Sequence, residues 1–64
     1  MVMKRMELVR QINKIAKDAG YTPVWTEGGR HSKVQFGNST IAVPRHSEIN
    51  EDTARAILAQ ARKA

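Results

Sequence analysis

The sequence predicts a small α+β domain of order α-β-β-β-α, a three-stranded antiparallel sheet with two helices on one face. Three observations lead there. Apolar residues recur at helical spacing near both ends of the chain. They alternate with polar residues, period two, through the middle. Glycine-containing turn signals separate the alternating runs.

The first helix is predicted over residues 3–19. Leu8, Ile12, Ile15, Ala16 and Ala19 stack on one face, while Lys4, Arg10, Lys14, Lys17 and Asp18 mostly point elsewhere. Gly20 stands where a helix stop is expected. Residues 22–45 change character. Val24, Trp25 and Thr26 are strand formers, and Gly28-Gly29 marks a turn. Val34 and Phe36 then alternate with Lys33 and Gln35. Gly37-Asn38 is a second turn, in the reverse of the usual Asn-Gly order. Ile41 and Val43 alternate with Thr40 and Ala42 until Pro44, which cannot donate to a ladder, ends the third strand. Such a sheet has one apolar and one wet face.

The second helix is predicted over residues 50–63. Asn50 is its N-cap, and Glu51 and Asp52 fall in the first turn, where negative charge suits the helix dipole. Ala54, Ile57, Leu58 and Ala61 form its buried stripe, with Arg62 and Lys63 at the far end. No repeat, low-complexity tract or linker divides the chain, so residues 1–64 read as one domain.

Composition narrows the function classes. A 64-residue chain buries only about 60% of the surface its unfolded form exposes. It has no cysteine, so neither a disulfide nor a thiolate metal site can support the fold. The apolar runs are far short of a membrane span. The opening Met-Val-Met-Lys-Arg-Met-Glu has no apolar stretch after its charges, so no signal peptide is indicated and a cytoplasmic location is expected. Eleven Lys and Arg against six Asp and Glu give a net charge of +5. A field of that sign on so small a body favours polyanionic partners, nucleic acid above all.

The residues suited to chemistry are few. His31 lies in the stretch EGGRHSK, residues 27–33, where the first turn hands over to the second strand. An ordinary imidazole titrates at about pH 6.5, so both protonation states are available in cells. On a strand, His31, Lys33 and Gln35 share the face opposite Val34 and Phe36. With Arg30 before it, His31 is a proton-transfer group beside cations that can hold a phosphate. The same spacing also suits an idle surface histidine. His46, in Val43-Pro44-Arg45-His46, has three open roles: second acid or base, phosphate contact, or loop packing. No short ligand spacing supports a metal site on the two histidines. Gly28 and Gly29 supply a turn rather than a phosphate-binding loop, which needs more glycines at set offsets before a helix. Trp25 reads as a packing residue of the sheet face, with base stacking the less common role.

The segments AGYTPVWTEGGRHSKV (19–34), TIAVPRHSEIN (40–50) and EDTARAILAQA (51–61), in this order, resemble HicA-type toxins. These are small ribonucleases of bacterial type II toxin–antitoxin modules. The resemblance covers residues 4–62 and implies a fold like the double-stranded RNA-binding domain. It implies a metal-independent endoribonuclease acting on mRNA without a cofactor, and a HicB-type antitoxin partner. The family's histidine aligns with His31, the principal acid or base, with Gly28 and Gly29 as its turn. Arg30 stands where serine or asparagine is usual, and Ser32 where a second histidine often occurs. Arg30 and Lys33 are then candidates to hold the scissile phosphate, with Arg45 and His46 secondary. Lys14, Lys17, Arg55 and Lys63 are candidates for contacts to the RNA backbone. The same charge and fold also suit a non-catalytic RNA- or DNA-binding module in which His31 is incidental.

Overall fold

The computed structural model describes residues 2–63. Its elements are β1 (Val2–Lys4), α1 (Arg5–Asp18), β2 (Val24–Glu27), β3 (His31–Phe36), β4 (Ser39–Pro44), β5 (Glu48–Asn50) and α2 (Glu51–Lys63). The expected helix–three strands–helix order is present. β2, β3 and β4 form one antiparallel sheet in sequence order.

Side-chain alternation fixes which face of that sheet is inside. In β3, Ser32, Val34 and Phe36 are buried while His31, Lys33 and Gln35 are exposed. In β4, Ile41 and Val43 are buried. Both helices press their stripes on this inner face. Leu8, Ile12 and Ala16 from α1 and Ala54, Ile57, Leu58 and Ala61 from α2 join Val34, Phe36, Ile41 and Val43 in one core. Trp25 packs half-buried against that core and donates its indole N–H to Asn13 Oδ1 at 2.8 Å, so it is a packing residue.

The turns follow their chemistry. Beyond α1, Gly20 donates to the Lys17 carbonyl and Tyr21 to the Ala16 carbonyl, the pair of bonds of a Schellman motif. Ala19 therefore serves as the exposed C-cap rather than as a member of the buried stripe. Phe36 pairs with Ser39, leaving Gly37-Asn38 as a two-residue hairpin loop. Gly37 has φ 60° and Asn38 does not have positive φ. That is the type II′ pattern, which puts glycine first and so explains the reversed Gly-Asn order. The Tyr21 ring lies over Gly37, and a Cβ there would meet it at 3.1 Å. At α2, Asn50 Oδ1 accepts from the Asp52 N–H at 2.8 Å, the expected N-cap.

Two elements, β1 and β5, were not anticipated. Residues 2–4, of which 3 and 4 were assigned to the first helix, form β1 instead and pair antiparallel with β5, Met3 opposite Ile49. Ile49 is buried in the core and Met3 packs against it. This two-stranded ladder sets α1 to start at Arg5, whose N–H donates to the Ser47 carbonyl at 2.9 Å. Among the described residues, no helix is long and apolar enough to cross a membrane.

Candidate active site

Arg30, His31, Arg45 and His46 line one open cleft of about 490 Å³. The β3–β4 register explains the meeting. His31 opens β3 and stands opposite Pro44, the last residue of β4. Pro44 ends the ladder, and the chain leaves the sheet through Arg45 and His46 beside His31. All four lining residues are exposed. The lining set is two imidazoles and two guanidiniums with no carboxylate. Such a set suits an oxyanion, and its size falls within the range of ligand clefts, roughly 300–1,000 Å³.

Gly28 holds the two sides of the cleft together. Its N–H donates to the His31 carbonyl at 3.0 Å, and its carbonyl accepts from Arg45 Nη1 at 2.8 Å. A Cβ on Gly28 would lie 2.8 Å from the His31 carbonyl oxygen, so a larger residue would displace the histidine backbone. Gly29 has open space around it and serves the turn alone.

Behind the cleft runs a polar network that the sequence reading missed. Arg5 Nη2 donates to Ser32 Oγ at 2.6 Å, and Ser32 Oγ donates to Glu27 Oε2 at 2.8 Å. Arg45 Nη2 lies 3.6 Å from the same Glu27 oxygen. Arg5 Nε also donates to the Pro44 carbonyl at 3.1 Å. A cation in the first turn of a helix opposes the dipole. Arg5 stands there because its guanidinium reaches back to the sheet. The signal was legible in principle. Ser32 falls in the inward register with Val34 and Phe36, and a serine buried there needs polar partners.

The remaining candidates lie apart from the cleft. Lys33 shares the outer face of β3 with His31, two residues along. Lys14 lines a separate groove on the helical layer with Gln11, Ile15, Asp18 and Arg62. Lys17 is exposed in the last turn of α1. Arg55 is engaged by Glu51 one turn back, Nη2 to Oε1 at 2.8 Å. Lys63 borders a smaller groove with Ser39, Thr40, Ile41 and Gln60, which holds no imidazole. Glu7 on α1 accepts from Arg10 and Gln11, and the Arg10 hydrogen bond holds its carboxyl below the usual carboxylate range.

Compared with known proteins, the chain matches no protein-family model, and no significant match was found among curated proteins or solved structures.

Proposed function

We propose that this chain is a metal-independent endoribonuclease of HicA type, the toxin of a type II toxin–antitoxin module acting on mRNA. The observation that carries the reading is His31, exposed in a cleft that also presents Arg30, Arg45 and His46. RNA brings its own nucleophile. A base that removes the 2′-OH proton lets that oxygen attack the adjacent phosphorus, and an acid protonates the departing 5′-oxygen. His31 is the principal proton-transfer group. Arg30 in the cleft wall meets the phosphate as negative charge builds in the transition state, and Lys33, two residues along β3, holds the RNA backbone beside it. The order of helices and strands, with both helices on one sheet face, supports a scaffold of the double-stranded RNA-binding type. Scaffolds of that kind read phosphates and shape rather than bases.

The net charge of +5 supports two further parts of the proposal, a polyanionic substrate and an acidic HicB-type antitoxin that covers the cleft. A cytoplasmic site of action follows from an mRNA substrate. The test is incubation of the purified protein with RNA in EDTA, beside His31→Ala and beside RNA carrying 2′-deoxynucleotides. Cleavage that is lost in the variant and at 2′-deoxy positions supports the enzyme. RNA bound and left intact by both proteins would make the chain a non-catalytic binding module.

A further inference from the structure

We infer that His46 is a second catalytic residue, so that the cleft cleaves RNA with two imidazoles rather than one. The inference rests on the endoribonuclease reading above and goes beyond it. Displacement at phosphorus places the entering and leaving oxygens on opposite sides of the phosphorus atom. The base must reach one side and the acid the other. A single ring beside one oxygen is poorly placed to serve both.

The cleft supplies two rings from two different chain segments. His31 comes from the start of β3, and His46 from the segment leaving β4, two residues beyond the partner of His31. The His31 backbone and the side chain preceding His46 are tied to a common residue. Gly28 N–H holds the His31 carbonyl, and Gly28 O holds the guanidinium of Arg45, the immediate neighbour of His46. Arg45 is steadied by Glu27, which is itself fixed by Ser32 and Arg5. His31 and Arg45, the residue before His46, thus belong to one hydrogen-bonded frame that reaches into the start of α1. The charged groups around the rings are Arg30 and Arg45 in the cleft wall, Lys33 along β3, and Glu27 behind Arg45.

The reaction balances without a metal or redox partner. One imidazole takes the 2′-OH proton, the O2′–P bond forms and the P–O5′ bond breaks. The other, as imidazolium, gives its proton to O5′. The products are a 2′,3′-cyclic phosphate and a 5′-hydroxyl, and the two rings have exchanged protonation states. Solvent resets them.

The experiment compares wild type, His31→Ala, His46→Ala and His46→Gln, all in EDTA. Two substrates are used: an RNA oligomer, and the same oligomer with sulfur replacing the 5′-bridging oxygen at the mapped cleavage site. A thiolate leaves without protonation, so it makes a general acid dispensable. His46→Ala and His46→Gln should both lower kcat on the oxygen substrate by about 10²–10⁴-fold, with KM nearly unchanged. The sulfur substrate should restore one of the two histidine-to-alanine variants and not the other, which also assigns the acid. Glutamine keeps polarity and bulk, so a loss shared by both His46 variants with unchanged circular dichroism is chemical rather than structural. A His46 variant with wild-type kcat, or with a raised KM alone, overturns the inference and leaves His46 a phosphate contact. Equal response of both alanine variants to sulfur overturns it as well. If wild type cleaves and only the His31 variant fails, the two-imidazole inference alone falls. If wild type leaves RNA intact, the endoribonuclease reading falls with it.

Discussion

Ser32 joins residues that are far apart in sequence. Its hydroxyl accepts from Arg5 and donates to Glu27, and its side chain is fully buried. Among the described residues, no buried side-chain nitrogen or oxygen lacks a partner, and this hydroxyl is part of the reason. Ser32→Ala removes the bridge and leaves the Arg5 and Glu27 groups facing each other without it. The expected cost is about 1–3 kcal/mol, read from urea unfolding. The same variant should broaden or shift the His31 and His46 ring resonances in NMR spectra, because the frame of the cleft passes through this atom. Gly28→Ala acts more directly. Its Cβ would press on the His31 carbonyl. The expected result is a loss of about 0.5–3 kcal/mol together with, on the endoribonuclease proposal, a fall in cleavage rate. His31 was readable as a wet residue because alternation along β3 needs only local pattern. Its meeting with His46 was not readable, since that depends on the β3–β4 register and on the direction the chain takes after Pro44.

At the scale of elements, local signals were sufficient for α1, α2 and the three-stranded sheet. Helical spacing, period-two alternation and turn glycines each act within a few residues. The β1–β5 ladder escaped for the opposite reason. Each strand has only three residues, too few to show a period, and the partners lie at opposite ends of the chain. Met3 and Lys4 also continue a helical run as readily as they form a strand, and only the tertiary pairing decides. That ladder carries Ile49 into the core, so Ile49→Ala should cost about 2–5 kcal/mol in equilibrium unfolding. Asn50→Ala should cost about 0.5–2 kcal/mol through loss of the α2 N-cap. On α1, the lowered Glu7 pKa gives a signed pH effect. Its stabilising share is fully present above the reference value of 4.5 and is lost as pH falls through the lower folded-state value. The pair is solvent-exposed, so the effect is small and salt-sensitive. Glu7→Gln should flatten the acid side of the stability–pH curve by slightly lowering its neutral plateau and leaving the acid limit unchanged.

For the molecule as a whole, the sheet separates two basic surfaces. His31 and Lys33 belong to the side away from the helices, while Lys14 and Lys17 ride on α1. Net charge, visible at once in the sequence, says nothing of this division. If RNA enters at the cleft, the two surfaces contribute unequally. Lys33→Gln should reduce the slope of log affinity against log salt by about 0.7, one single-strand phosphate contact. Lys14→Gln should change it little. Fluorescence anisotropy with labelled RNA across a salt series measures both.

The network through Arg5 also limits how this hairpin can be reused. β2 and β3 make the strand pair whose loop leads into His31, yet the guanidinium that steadies it comes from the opposite layer. A graft of residues 24–36 onto a foreign sheet would bring the histidine and leave its brace behind. A working transplant would have to import a helix whose opening turn presents an arginine to the back of that serine.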